Sequence, residues 1–237
     1  MDTPASYEPR AVCLVSGGMD SAVALAEARA AGFATYALTV AYGQRHVCEL
    51  DAAARVARAL GAREQRVVSV DLRALGGSAL TDDLAVPKDR AGHEIGRGVP
   101  TTYVPARNTV FLSIALGYAE VVGARAIFLG INAIDYSGYP DCRPEFLAAF
   151  QKLATLATAA GAERGEPLEL HAPLVLLSKR DIVLRGRELG VDFALTHSCY
   201  DPQLRGERWL SCGRCDACQL RLEGFRAAGL VDPLAYA

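Results

Sequence analysis

Residues 11–25 read AVCLVSGGMDSAVAL. Ala11–Val15 is a continuous apolar run, and Ser16-Gly17-Gly18 stops it. A short run without polar alternation is a strand buried on both faces, and two adjacent glycines make a tight turn. Ser21–Ala31, rich in Ala, Leu and Glu and closed by Gly32, then reads as a helix with a glycine stop. A strand with no polar face needs helices on both sides, which is the setting of a parallel sheet. The next residues repeat the unit. Thr35–Ala41 is a second strand. Cys48–Leu60 sets Leu50, Ala53, Ala54, Ala57 and Leu60 at helical spacing ahead of Gly61, and Arg66–Val70 is a third strand. The expected class is α/β, an open and mostly parallel sheet with helices on both faces, Rossmann-like.

The rhythm breaks at Asp71–Thr102, whose five glycines and two prolines read as one long loop. It resumes with a helix at Asn108–Val122, a strand at Ala126–Gly130, a helix at Pro144–Ala160 with proline in its first turn, and a helix at Ser178–Leu189. Ser178 caps the last of these, with Asp181 three residues on. From Cys199 onward the texture changes to Cys, Gly and Arg. The expected division is a nucleotide-binding and catalytic domain over 1–195 and a metal-binding subdomain over 196–237.

Composition excludes several classes. With 237 residues, 51% hydrophobic and 22% charged, the chain is neither disordered nor dependent on disulfides. Its 25 basic and 27 acidic residues give net −2, so no global charge draws it to nucleic acid. No apolar run approaches the ~20 residues of a membrane span. Met1–Arg10 has no apolar stretch behind a basic start, so a cytoplasmic location with free thiols is expected.

Ser16–Ser21 also carries chemistry. Paired glycines bare their N–H groups, the following helix points its positive end at them, and Ser16 and Ser21 add hydroxyls. The sum is an anion cradle suited to phosphates. A plain strand-to-helix turn would use glycine without needing two hydroxyls and an acid. The Gly-Lys-Ser/Thr of the Walker loop is missing, so no lysine clamps a γ-phosphate here.

At the other end, Cys212, Cys215 and Cys218 form two overlapping C-x-x-C units, with Cys199 thirteen residues earlier. Four thiolates suit one tetrahedral Zn²⁺ with no open position, hence a structural zinc. Arg214 and Arg221 are near enough in sequence to offset the excess negative charge. An iron–sulfur cluster or a redox pair are the alternatives.

SGGMDS at 16–21 resembles the pyrophosphate loop of the ATP pyrophosphatase superfamily. Further strings make the likeness narrower: AYGQRH at 41–46, VPARN at 104–108, GINAIDYSGYPDCRPEF at 130–146, PLVLLSK at 173–179, THSCY at 196–200 and CGRCDAC at 212–218. Over nearly the whole chain they resemble the 7-cyano-7-deazaguanine synthases of the queuosine pathway, a family of carbon–nitrogen ligases. The resemblance implies that 7-carboxy-7-deazaguanine, ammonia and two ATP become 7-cyano-7-deazaguanine, two AMP and two pyrophosphates. Adenylation turns a poor leaving oxygen into AMP, ammonia gives the amide, and a second adenylation gives the nitrile. The chain leaves no room for a glutaminase domain, so free ammonia is the expected donor. One departure is the spacing from Cys199 to Cys212, lengthened by DPQLRGERWL, which should extend a loop without removing a ligand.

By that resemblance Val15, Ser16, Gly17, Gly18, Met19, Asp20, Ser21, Ala22, Val23, Ala24 and Leu25 hold ATP. Asp20 is the candidate to meet Mg²⁺. Ser16, Asp20, Ser21 and Lys179 are the catalytic candidates, although Lys179 reads equally as a solvated lysine opening a helix. Arg107 and Asn108 precede a helix, where Asn108 is either its N-cap or a ligand contact. Gln44, Arg45 and His46 follow the second strand at its carboxyl end, where open parallel sheets bind ligands. Asn132, Asp135, Tyr136, Ser137, Tyr139, Asp141 and Arg143 follow the fourth strand at the same edge. There Asp135 or Asp141 could accept the N–H/NH₂ edge of a deazaguanine, a tyrosine could stack on its ring, and Arg143 could pair with a carboxylate or phosphate. A plain polar turn is the alternative. Cys13 reads as an inert core thiol, and His197 as a weak substitute ligand. The expected partners are small molecules and a second copy in a homodimer, with no nucleic acid and no membrane. A transfer-RNA-thiolating pyrophosphate-loop enzyme and a non-catalytic zinc-stabilised nucleotide-binding module are the competing readings.

Overall fold

A computed structural model provides the structure and describes residues 8–44, 48–91, 95, 98–132 and 138–237. The first strand is β1 (Arg10–Leu14), followed by α1 (Met19–Ala30), β2 (Ala34–Ala41), α2 (Cys48–Ala59) and β3 (Glu64–Ser69). Then come α3 (Arg107–Val122), β4 (Ala126–Phe128), α4 (Pro144–Ala157), α5 (Ala159–Arg164), β5 (Glu169–His171) and α6 (Lys179–Glu188). A hairpin of β6 (Gln203–Arg205) and β7 (Arg208–Leu210) and the helix α7 (Asp216–Ala227) complete the chain. The main sheet is parallel throughout, in the order β3-β2-β1-β4-β5.

The pleat sorts the core into two layers. Ala11, Cys13 and Val15 pack with Ala22, Leu25, Val56, Ile182 and Val183 on the face covered by α1, α2 and α6. Val12, Leu38 and Ile127 point the other way, onto Leu112, Leu116 and Ala119 of α3 and Phe150 of α4. The central strands β1, β2 and β4 therefore bury apolar residues on both faces, as the opening stretch required, while the edge strands β3 and β5 are partly exposed. The four cysteines at 199–218 belong to that second layer, so the tail shares a core with the sheet. Helix α7 spans both layers, with Ala217 in one and Phe225 in the other.

Two local expectations are revised, and one strand is new. The helix expected over 144–160 breaks at Thr158, whose hydroxyl accepts from Gly161 N and caps α5. Asn108 is not an N-cap. Helix α3 starts one residue earlier, behind Ala106 at φ 54, and the Asp141 carboxylate accepts from Asn108 N at 2.9 Å. The edge strand β5 has no sequence signal of its own and owes its form to pairing with β4.

Residues 71–102 hold no helix or strand among those described, yet the segment is packed. Leu72, Ala79, Leu80 and Val86 are buried in the core. Lys88 bridges Cys215 in an antiparallel pairing. Three successive side chains then tie it to the tail: Lys88 to Asp201 at 2.5 Å, Asp89 to Arg214, and Arg90 to Asp216 at 2.9 Å. Among the described residues no helix is long and apolar enough to cross a membrane.

Candidate functional site

The strand order reverses between β1 and β4, and loops leaving the carboxyl ends of strands on either side of such a point diverge to leave a crevice. A cavity of about 220 Å³ lies there, lined from the loops after β1, β2 and β4. Its floor is the glycine turn. Gly17 sits at φ 87, and a Cβ on it would stand 2.5 Å from the Glu49 carbonyl. Gly130, leaving β4, is as constrained: a Cβ there would come within 2.6 Å of the Asp20 backbone. Both positions exclude any side chain, so strand ends and α2 crowd onto the loop and fix its shape.

Within the loop the hydroxyls organise the backbone. Ser21 Oγ accepts from Ser16 N at 3.2 Å and donates to Gly18 O at 3.0 Å, and Ser16 Oγ lies 3.1 Å from Ser21 Oγ. Gly18 caps α1 without a side chain, and Asp20 occupies the first turn. Lys179, only 6% exposed, reaches across from α6 and donates to Asp20 Oδ2 at 2.5 Å. Asp20 Oδ1 is buried without a hydrogen-bond partner among the described residues. A buried carboxylate oxygen left over beside a phosphate cradle suits a Mg²⁺ carried by a nucleotide.

Val15, Ser16, Gly18, Met19, Asp20 and Ser21 line the cavity. Ala22, Val23, Ala24 and Leu25 are buried in the layer behind it, and Gly17 is wedged against α2. Gln44 lines the wall and accepts from Tyr42 N at 2.8 Å. Asn132 also lines it and donates to the carbonyls of Leu174 and Leu177, tying the end of β4 to the turn before α6. Arg107, Asn108, Tyr139 and Lys179 line it as well. Asp141 is engaged with the start of α3 instead, and Arg143 is exposed at the N-cap of α4 outside the lining. His46, Asp135 and Tyr136, with Arg45 and Ser137, lie outside the described residues.

Sequence reading does not single out several lining residues, Tyr42, Glu49, Phe111, Ser198 and Tyr200, and it weighs His197 only as a substitute metal ligand. Tyr42 and Glu49 flank the loop after β2, so the rule that singled out Gln44 covers them too. The others become visible only when α3 and the tail fold in. Arg107 stands 5.8 Å from the Tyr42 ring centre and 5.9 Å from that of Phe111, a cation held between aromatic rings. Tyr139 meets Thr102 Oγ1 at 3.0 Å and Tyr103 at a ring-centre distance of 5.7 Å. Burial pushes the Glu49 carboxyl up to about 7 against the opposing pull of Arg107. Burial, first, and the Asp141 charge push the Cys142 thiol up to about 12, so this lining sulfur is a protonated thiol at neutral pH.

Beneath the same wall the sulfurs of Cys199, Cys212, Cys215 and Cys218 all lie within 4.8 Å of one another, with Cys212 and Cys218 at 4.0 Å. A tetrahedral ion with sulfur bonds of ~2.3 Å would set them ~3.8 Å apart. The β6–β7 hairpin turns at Gly206 and absorbs the lengthened spacing, so Cys212 returns to Cys199. Five backbone amides donate to these sulfurs: Cys212 and Asp201 to Cys199, Arg214 and Cys215 to Cys212, and Tyr200 to Cys215. Hydrogen bonds from Cys199 and Cys218 draw Cys215 far below the usual thiol range, and sharing those bonds drives the other two up. Four buried sulfurs this close, with so many N–H donors around them, are suited to holding one metal ion.

The family described as "Queuosine biosynthesis protein QueC" matches residues 10–229. The 7-cyano-7-deazaguanine synthase of Azoarcus sp. is 62% identical over 229 residues, 96% of this chain and 97% of that protein. The synthase of the same name from Myxococcus xanthus is 58% identical over 227 residues, 96% of this chain and 97% of the other. A solved structure of a 4-thiouridine synthetase–RNA complex with bound ATP is 20% identical, covers 95% of this chain and 55% of its own, and has a TM-score of 0.47.

Proposed function

The chain belongs to the QueC family of queuosine biosynthesis proteins, and from that premise we propose that it converts 7-carboxy-7-deazaguanine and ammonia to 7-cyano-7-deazaguanine at the expense of two ATP. The observation that carries the proposal is likeness along the whole chain. Relatives of that name match 96% of it, including both the phosphate loop and the cysteine tail.

The chemistry assigns tasks to the cavity. A carboxylate oxygen attacks the α-phosphorus of ATP and pyrophosphate departs. Ammonia then attacks the acyl carbon, AMP leaves and the amide forms. A second transfer to the amide oxygen and a second loss of AMP, with the nitrogen shedding its protons, give the nitrile. Ser16–Ser21 receive the departing pyrophosphate on N–H groups and hydroxyls aimed where its charge develops. Asp20 meets the Mg²⁺ that accompanies ATP, and Lys179 balances the charge beside it. Arg107 pairs with the substrate carboxylate, and Tyr42, Phe111 and Tyr139 hold the flat ring. The acceptor for the deazaguanine edge is Asp135, since Asp141 is occupied at α3. Cys199, Cys212, Cys215 and Cys218 hold one zinc ion, which supplies a cross-link and leaves no position open for substrate. A homodimer in the cytoplasm belongs to the same proposal, and light scattering on the purified protein checks the dimer.

One assay tests the reaction. The protein is incubated with ATP, Mg²⁺, ammonia and 7-carboxy-7-deazaguanine, and AMP and a product of nitrile mass are measured. Two AMP per nitrile is the expected result. No AMP with that acid, but AMP with transfer RNA and a sulfur donor, would replace the proposal with a thiolating enzyme.

A further inference from the structure

Arg221 of α7 is 1% exposed, and a guanidinium taken out of water must find partners for its donors. Nε and Nη2 grip Asp232 at 2.7 and 2.9 Å, and Nη2 also donates to Phe193 O at 3.1 Å. Asp232 in turn accepts from Tyr236 OH at 2.6 Å. The remaining nitrogen, Nη1, donates to Thr196 Oγ1 at 2.7 Å and to Ser198 Oγ at 3.5 Å. On its far side this segment meets the phosphate loop. His197 N donates to Gly17 O at 2.7 Å, and Met19 N donates to Ser198 Oγ at 3.4 Å.

Ser198 therefore stands between a buried cation and the first amide of α1, in the cavity wall. A hydroxyl has two acceptor sites and one proton to give. Both acceptor sites face N–H donors, one of them cationic, so its own proton is what it offers the cavity. Accepting from a guanidinium polarises the O–H and makes it a better donor to an anion.

We propose that Ser198 is a phosphate-binding residue that completes the loop's cradle by donating to an oxygen of the pyrophosphate half of ATP. Arg221, fixed by Asp232, is the positioning residue that aims it. The proposal rests on the nucleotide reading of the cradle given above, and it adds a ligand contact from a segment 180 residues further along the chain.

Titration calorimetry on the zinc-loaded protein with Mg–ATP, with inorganic pyrophosphate and with AMP tests it. Ser198→Ala should weaken ATP and pyrophosphate by about tenfold while leaving AMP unchanged, because only the former two present the phosphates concerned. Ser198→Thr, which keeps the hydroxyl, should restore most of the affinity. Asp232→Asn should reproduce the selective loss more weakly. Equal weakening of AMP in Ser198→Ala overturns the proposal, since Ser198 would then merely support the wall. So does unchanged pyrophosphate affinity. An unchanged Asp232→Asn overturns the role of Arg221. A parent protein that binds none of the three ligands overturns the nucleotide reading itself.

Discussion

The end of the cavity that the proposal gives to phosphate and its aromatic end are built on opposite plans. The phosphate end takes six consecutive residues, Ser16–Ser21, and works mainly through backbone amides and two hydroxyls. The aromatic end gathers Tyr42, Glu49, Arg107, Phe111, Tyr139 and Cys142 from segments a hundred residues apart. A backbone cradle is specified by local conformation, so it needs glycines and a strand end and little else. A pocket for a flat heterocycle needs side-chain faces, and these come only from elements that the sheet brings together. The tail serves both ends, since Ser198 touches the loop and Tyr200 lines the other wall.

The comparison can be broken most sharply at the phosphate end. Asp20→Ala removes the carboxylate that Lys179 grips, and AMP release should fall by about 10³-fold or more with zinc content per chain unchanged. Surviving AMP release would move the phosphate chemistry away from the loop. Next in size is the tail. Cys215→Ser removes a sulfur from the centre of the cluster and should lower stability by about 3 kcal/mol or more, read by denaturant titration. The same change should expose residues 71–102 to limited proteolysis, because Lys88, Asp89 and Arg90 are moored to the tail. Uncut protein would mean that the loop stands without it.

At the aromatic end the effects are smaller and depend on pH. The Glu49 carboxyl titrates near 7 in the folded chain, above the ~4.3 of a free glutamate. Between those values the native state holds a proton that the unfolded chain releases, so this group's contribution to stability falls as pH rises through the window. Glu49→Gln should therefore match the parent in Tm near pH 4 and exceed it at pH 8. A constant difference across that range would remove the ionisation. The smallest effect is expected of Cys142→Ala. With its thiol protonated, Cys142 supplies no nucleophile, so activity should stay within about twofold. Stability should drop by about 1 kcal/mol as the contact from Asn108 Nδ2 is lost. Abolished turnover with normal binding would instead point to a covalent step.

Sequence and structure diverge for reasons visible at particular residues. Ser178 capping α6 by accepting from Asp181 N was readable because the cap and its donor lie three residues apart. The cap of α3 was not, because Asp141, which serves it, sits 33 residues beyond Asn108. Strand β5, three residues long, is too short to show a period, whereas β1 announces itself by an unbroken apolar run. The break at Thr158 is a local hydroxyl competing with helix continuation, legible only once α5 is seen to begin there.

From its order of residues alone the chain settled the parallel sheet, the glycine turn between β1 and α1 and the clustering of four cysteines. Each depends on spacing over a few residues, where backbone conformation and hydrophobic period act directly. Folding in three dimensions decided that Lys179 meets Asp20, that Arg107 stands among rings, and that Ser198 lies between Arg221 and the first amide of α1. Those meetings depend on which helix faces cover which strand ends, and burial of apolar surface across the whole sheet fixes that choice.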